Sequence, residues 1–210
     1  MNDFAYTIVR NLLEIGAIKF NFEEPFTWTS GWKSPVYCDN RMSLSYTELR
    51  GLVRDAYVKI IQDKFPDVEV IAAVATGGIP QGALVADKLG LPLTYIRDKR
   101  KDCGLSKVVE GNFKKGQKIV ILEDHISTGG SCLRAFEELK KENVDVLGIV
   151  AAFSYGFPME VEKVTRLEVI STFAVIQEIA LKEGYITEAE NIKLNKWHKN
   201  PMDYGKEQVR

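Results

Sequence analysis

The stretch that decides the fold is residues 118–131, KIVILEDHISTGGS. An apolar strand runs directly into two carboxylates, Glu123 and Asp124, and then into glycines and hydroxyl residues that lead to a helix. Glycines permit close backbone approach, and hydroxyls with backbone N–H groups at a helix N-terminus form a cradle for phosphate. Two acids before such a cradle suit sugar hydroxyls, so the segment predicts a sugar-phosphate site. An ordinary strand-to-helix turn is the alternative.

On both sides of this stretch, apolar runs predict further strands. The runs are VEVIAAVAT from residue 68, LPLTYIR, VLGIVAAF and LEVIST. Between them lie helical patterns in GGIPQGALVADKLG and at about 129–141 and 158–166. Strands that alternate with helices indicate parallel βαβ units, whose ligands bind beyond the carboxyl ends of the strands. We therefore predict an α/β fold with a parallel, Rossmann-like sheet.

The flanking segments predict helices around an irregular, aromatic-rich stretch at 20–44. A first helix carries an apolar stripe and can end at Gly16, and Ser45 with Glu48 forms a capping box for a second. From Phe173 to about Lys199 two more helices are expected, with a capping box at Thr187 and Glu190. Residues 98–117 show no clear element, which is typical of a lid, a binding loop or a disordered segment.

Composition narrows the class of protein. The 210 residues, 45% of them hydrophobic, suffice for one large domain. With 28 basic and 29 acidic residues the net charge is −1, which argues against nucleic-acid or membrane partners but permits a local basic patch. Three cysteines without CxxC spacing indicate a reducing compartment rather than disulfides or zinc. With no leader-like start and no long apolar run, we expect a soluble cytoplasmic protein.

The segment VILEDHISTGGS resembles the donor-binding signature of the type I phosphoribosyltransferases. More narrowly, nearly the whole chain resembles the orotate phosphoribosyltransferase family. FTWTSGWKSPVYCDNR resembles its substrate hood, VATGGIPQGALVADKLGLP its first βα unit, and VVEGNFKKGQKIVILED its strand into the signature. The resemblance implies a single type I phosphoribosyltransferase domain over 1–210. Its parts would be a hood at about 1–45, a core at about 46–172 and C-terminal helices at about 173–210.

The resemblance also implies a reaction. A phosphoribosyl group would pass from 5-phosphoribosyl 1-diphosphate to orotate, giving orotidine 5'-monophosphate and pyrophosphate in pyrimidine synthesis. It implies Mg²⁺ carried mainly by the donor, without a dedicated protein metal site, which agrees with the preference of Mg²⁺ for phosphate oxygens. It further implies a homodimer in which the loop of one subunit covers the site of the other.

Site residues follow by resemblance along the matching motifs. Glu123 and Asp124 would bind the ribose hydroxyls and favour the charge that develops on the sugar. The rest of the donor-binding stretch is His125, Ile126, Ser127, Thr128, Gly129, Gly130 and Ser131, with the 5'-phosphate on its last five residues and Ser127 also near orotate. The pyrophosphate would meet Thr76, Gly77 and Gly78, for which a plain helix-entry turn is the alternative.

The most basic stretch is RDKRKDCG at 97–104. Arg97 and Lys101 match the family's pyrophosphate-binding cations, and Lys101 would also be catalytic; a solvated run of charges is the alternative. Cys103 occupies the position of the family's histidine, and a neutral thiol cannot replace an imidazolium. It is either a passive substitution or a redox-sensitive thiol. At 125 the family usually has an aliphatic residue, so His125 is either a relocated acid or a packing or surface substitution.

In the hood, Thr29, Lys33 and Arg41 are the ligand candidates, whereas its large aromatics suit core or interface. A guanidinium matches a planar carboxylate, so Arg41, with Lys33, is assigned to orotate. Two competing functions stay open. One is a phosphoribosyltransferase for another base; the other is a donor-binding regulator with weakened catalysis, which Cys103 favours and the retained acids disfavour.

Overall fold

A computed structural model describes residues 2–28, 31–97 and 108–204. Thr29 and most of the basic loop, including Lys99, Arg100, Lys101 and Cys103, lie outside these residues. The predictions made for those side chains therefore remain predictions.

Within the described ranges the chain forms helices and strands in alternation. The helices are α1 (Asn2–Glu14), α2 (Thr47–Lys64), α3 (Gly78–Leu89), α4 (Gly130–Lys141), α5 (Phe173–Lys182) and α6 (Glu188–Lys199). The strands are β1 (Ile18–Phe20), β2 (Phe26–Thr27), β3 (Lys33–Ser34), β4 (Val36–Cys38), β5 (Val70–Val74), β6 (Leu93–Ile96), β7 (Val109–Glu110), β8 (Lys118–Ile126), β9 (Asp145–Ser154) and β10 (Leu167–Thr172). Short 3₁₀ helices span 40–45 and 160–163.

The central sheet has the order β10-β9-β8-β5-β6-β7. Its neighbouring strands are parallel, except that the edge strand β7 runs antiparallel to β6. This confirms the predicted α/β class and the parallel core. β7 lies inside the stretch 98–117, for which the sequence showed no element, because two residues are too short for a periodic pattern.

Both faces of the sheet are buried, which explains the continuous apolar runs of its strands. Along β8, Val120 and Leu122 pack toward the helices α1, α2, α3, α5 and α6. Ile119 and Ile121 point the other way, toward α4. The alternation follows from the two-residue period of a strand. It places β8 between two hydrophobic clusters, one on each face of the sheet, and leaves its carboxyl end for a ligand site.

The hood is more regular than its sequence indicated. β1 pairs with β4 and β2 with β3, both antiparallel. Trp197 of α6 is buried under the hood, and its Nε1 donates a hydrogen bond to the carbonyl of Lys33 at 2.9 Å. Its ring centroid lies 5.9 Å from that of Trp28. The C-terminal helix therefore supports the hood directly.

Two local predictions were wrong. Ser45 belongs to the 3₁₀ helix at 40–45, so α2 begins at Thr47 with Tyr46 as an extended N-cap and without a side-chain cap. The helix expected at 158–166 is only the 3₁₀ turn Glu160–Lys163. The capping box of Thr187 and Glu190 is confirmed, with both reciprocal hydrogen bonds present. No helix in the described part of the chain is long and apolar enough to cross a bilayer.

Candidate active site

The acidic pair lies at the carboxyl end of β8, where the pairing with β5 has just ended at Leu122. Two side chains donate hydrogen bonds to the backbone carbonyls of these acids. The hydroxyl of Tyr57 donates to the carbonyl of Glu123 at 2.5 Å, and Nδ2 of Asn40 donates to that of Asp124 at 2.9 Å. The backbone of both acids is thus held by α2 and by the hood. Sequence analysis missed Asn40 and Tyr57 as supports, because only the fold brings them to β8.

Glu123 is 4% exposed and lies against the start of α4. Its Oε2 accepts a hydrogen bond from Oγ of Ser131 at 3.1 Å, and its Oε1 accepts one from the backbone N–H of Asp124 at 3.1 Å. Burial raises the pKa of Glu123 well above its ordinary value, and the neighbouring Asp124 charge adds to the shift. Glu123 therefore holds a proton more tightly than a solvated glutamate does.

The pKa of Asp124 shifts in the opposite direction, because the imidazole of His125 faces its carboxylate. Nδ1 of His125 lies 3.2 Å from Asp124 Oδ1, and the backbone N–H of His125 donates to the same oxygen at 2.9 Å. Burial pushes the pKa of Asp124 upward, but the hydrogen bond and charge of His125 outweigh it and the pKa falls below its usual value. In return, burial would lower the pKa of His125, but Asp124 raises it above the ordinary value. The pKa values of the two adjacent acids are thus shifted in opposite directions.

The turn Thr76–Gly78, between β5 and α3, packs against these acids. A Cβ placed on Gly77 would stand 2.2 Å from Oδ2 of Asp124, and one on Gly78 would stand 2.7 Å from the carbonyl oxygen of Leu122. Such distances leave room only for glycine. The predicted pyrophosphate turn and the predicted ribose acids are therefore brought together by the fold, with the N-terminus of α3 at the same place.

The loop from Ser127 to Ser131 follows β8 and opens α4. Ser127 is half-buried and Thr128 exposed, while Ile126 before them is buried. Gly129 has a φ of 76°, a left-handed conformation that favours glycine, and it packs on Met159. The first turn of α4 contains no acidic residue. Its unpaired N–H groups and the positive end of the helix dipole suit an anion.

Arg97 lies at the end of β6, where the basic loop begins. Its Nη1 is 3.6 Å from Oε1 of Glu110 on β7. Together with Ser131 and Arg134 of α4 it lines a cleft of about 320 Å³. The structure thus places Arg97 across a cleft from the loop that leads into α4.

The two hood candidates differ in position. Arg41 donates from Nε and Nη2 to the two carboxylate oxygens of Asp39, at 2.7 and 2.8 Å. This bidentate pair holds the pKa of Asp39 below its usual value. Arg41 also lines a small cavity with Gly77 and Asp124. Lys33, by contrast, donates from Nζ to Oγ1 of Thr27 at 2.6 Å, within the hood.

Comparison with known proteins agrees with this geometry. Residues 45–184 match the family described as "Phosphoribosyl transferase domain". An orotate phosphoribosyltransferase of Bacteroides thetaiotaomicron is 45% identical over 212 aligned positions, which cover 98% of this chain and all of that relative.

Two solved structures are also similar. The orotate phosphoribosyltransferase of Aeropyrum pernix superimposes with a TM-score of 0.72 at 27% identity, covering 86% of this chain and 99% of that one. The UMP synthase of Leishmania donovani matches with a TM-score of 0.78 over 93% of this chain, but at 23% identity it shows the fold alone, and the match covers 42% of that protein. From its residues, its fold and these relatives, the chain belongs to the orotate phosphoribosyltransferase family.

Proposed function

We propose that this protein transfers the phosphoribosyl group of 5-phosphoribosyl 1-diphosphate to orotate and releases pyrophosphate, which forms orotidine 5'-monophosphate for pyrimidine synthesis. The observation that carries the proposal is the meeting of three elements at one edge of the sheet. The acids at the end of β8 contact Ser131 at the start of α4 on one side and pack against Gly77 on the other.

Each of these elements has a role in the proposed mechanism. Asp124, ionised, accepts hydrogen bonds from the ribose hydroxyls, and its charge stabilises the positive charge that develops on the sugar as the pyrophosphate leaves. Glu123 completes the diol site beside it. The loop 127–131 holds the 5'-phosphate at the N-terminus of α4. The turn Thr76–Gly78 offers backbone N–H groups to the pyrophosphate, with Arg97 and Lys101 as its cations.

The site suits a magnesium ion that arrives with the donor. Among the described residues, no group of three or more His, Cys, Asp or Glu is arranged to hold a metal. Both carboxylate oxygens of Glu123 and Oδ1 of Asp124 already accept hydrogen bonds from protein donors. Mg²⁺ favours phosphate oxygens and few protein ligands, so the residues that hold the phosphates, at 76–78 and 127–131, would hold it through the donor. When bound, the ion neutralises the negative charge of the leaving pyrophosphate.

Orotate is proposed to lie under the hood, beside Ser127. Arg41 lines the same cavity as Asp124. Its planar guanidinium matches the orotate carboxylate, although its Nε and Nη2 are bonded to Asp39. Lys33 is the second hood cation, although its ammonium is bonded to Thr27. We further propose a homodimer with shared sites. We also propose a cytoplasmic location, which the free, buried thiols of Cys38 and Cys132 support, because thiols stay reduced in that compartment.

A direct assay tests the reaction. Purified protein, Mg²⁺, the diphosphate donor and orotate are mixed, and the loss of orotate absorbance is followed. We expect turnover with orotate and none with adenine or hypoxanthine in its place. Turnover only with a purine base would indicate a phosphoribosyltransferase for another base. Donor binding without turnover on any base would indicate a regulator.

The assignment of Arg41 is tested in the same assay. Arg41→Ala should raise KM for orotate about tenfold or more, the contribution of a hydrogen bond to a charged group, and change KM for the donor little. Lys19→Ala, on the exposed side of β1, is the matched control and should leave both constants unchanged. An unchanged orotate KM in Arg41→Ala would remove this residue from the acceptor site.

A further inference from the structure

The carboxylate of Asp124 lies against two neighbouring side chains, those of Glu123 and His125. The backbone N–H of His125, at 2.9 Å, and its Nδ1, at 3.2 Å, both contact Oδ1. An ionised carboxylate only accepts hydrogen bonds, so Nδ1 carries a proton whether the imidazole is neutral or charged. Both contacts fall on one oxygen and therefore fix the plane of the carboxylate.

The other oxygen is left for a ligand. Oδ2 lies above Gly77, within 2.2 Å of the place that a Cβ would occupy, so it cannot turn further toward α3. The Asp124 side chain is 11% exposed, and its backbone carbonyl is held by Asn40. With Oδ1 engaged and the backbone held, Oδ2 is the acceptor that the fold offers to a sugar hydroxyl.

The imidazole itself can change its charge, because 43% of its side chain surface is exposed. The ionisable groups that face it are Asp124 on its own strand and Asp39 and Arg41 from the hood. The two carboxylates favour the imidazolium and the guanidinium opposes it. Their net effect, given above, is a raised pKa for His125, so the charged form persists to higher pH than in a solvated histidine.

We propose that His125 is a positioning residue for Asp124, one whose contacts to Oδ1 orient this carboxylate for the donor's ribose. The proposal rests on the function proposed above, since it assigns the ribose to Asp124. Because ionised Asp124 stabilises the imidazolium, the strength of the contact can be measured through the raised pKa of His125.

The first test needs no turnover. The chain has two histidines, His125 and His198, so the imidazole signals in the NMR spectrum of the full chain come from these two residues. His198→Gln assigns them by leaving one. We expect the His125 midpoint to lie above about 6.5, the value of an unperturbed histidine, and to fall in Asp124→Asn. A midpoint unchanged by Asp124→Asn would overturn the proposal.

The second test is kinetic. His125→Asn places an N–H near the position of Nδ1 without a charge, and His125→Leu has neither. We expect kcat/KM for the donor to fall about tenfold or more in His125→Leu and to be partly restored in His125→Asn. Orotate KM should change little in either variant.

The outcomes separate the two proposals. Unaltered donor kcat/KM in His125→Leu would overturn the positioning role. Absence of orotate turnover in the unsubstituted protein would overturn the proposed function, while the NMR coupling between His125 and Asp124 would still be measured. If His125→Leu does not fold, the titrations of the unsubstituted protein and of Asp124→Asn decide the question.

Discussion

At the scale of the residue, the site depends on a close fit between an acid and a glycine. The sequence predicted Gly77 as a backbone donor to pyrophosphate. The structure adds a steric requirement, because the Asp124 carboxylate occupies the space of the missing side chain. No pattern in the sequence could reveal this, since Gly77 follows β5 and Asp124 lies on β8, and only the sheet brings them together.

Gly77→Ala should therefore displace Asp124. We expect a loss of kcat/KM of about tenfold or more and a loss of about 1–3 kcal/mol in the free energy of unfolding, the usual cost of overpacking. Rates and urea denaturation measure the two effects. Gly51→Ala in α2 is the control, because the nearest atom to its new Cβ is 3.9 Å away at the end of Arg54. It should keep full activity and gain about 0.5–1 kcal/mol. A fully active Gly77→Ala would contradict the steric argument.

Glu123 should reduce stability at neutral pH. Its pKa is raised in the folded chain by burial and by Asp124, so the folded state binds the proton more tightly than the unfolded one. Stability is then lost as pH rises from the ordinary pKa of glutamate toward the raised value. Glu123→Gln cannot ionise, and we expect it to be more stable than the unsubstituted protein by about 1.4 kcal/mol for each unit of that shift.

Urea denaturation at pH 4, 6 and 8 checks this prediction. The difference between Glu123→Gln and the unsubstituted protein should grow with pH and nearly vanish at pH 4, while orotate turnover falls. Glu160→Gln is the control, because Glu160 is a 71% exposed side chain. It should stay within about 0.5 kcal/mol throughout. A constant difference at all three pH values would refute the effect of burial on Glu123.

At the scale of the element, α6 is the support of the hood. Trp197 is 1% exposed and packs edge-on against Phe173, with ring centroids 5.4 Å apart. Its indole N–H reaches the carbonyl of Lys33 in β3. The apolar pattern predicted a C-terminal helix, and this was confirmed. Its partner could not be predicted, because a tryptophan in a helix stripe fits any buried surface.

Trp197→Ala should lower the free energy of unfolding by about 3–5 kcal/mol and raise KM for orotate more than KM for the donor, since the hood is proposed to bind orotate. Trp197→Phe keeps an aromatic ring and should cost less. Ile192→Ala, on the same helix with 67% of its surface exposed, should change stability by less than about 0.5 kcal/mol. Chemical denaturation and initial rates measure both effects. Equal costs for Trp197→Ala and Ile192→Ala would show that α6 does not support the hood.

At the scale of the whole molecule, the parallel core could be predicted because strands buried on both faces have continuous apolar runs, as in β5. Predictions based on short local signals were less reliable. The capping box predicted at Ser45 was wrong because the 3₁₀ helix of the hood includes that residue. The one at Thr187 lies between α5 and α6, outside any 3₁₀ helix, and was confirmed. The acids and the phosphate loop were found from sequence because they are contiguous. Asn40 and Tyr57 were not, since they reach β8 from 84 and 66 positions away.

The contact between Trp197 and Lys33 has a consequence for the order in which the molecule is assembled. The two residues are 164 positions apart, and a ribosome adds about 5–20 residues each second. The hood strands are therefore synthesised roughly 8 to 33 s before their supporting helix. During that interval the aromatic underside of the nascent hood has no α6 to cover it, so a chaperone that binds exposed aromatic segments would find its target there.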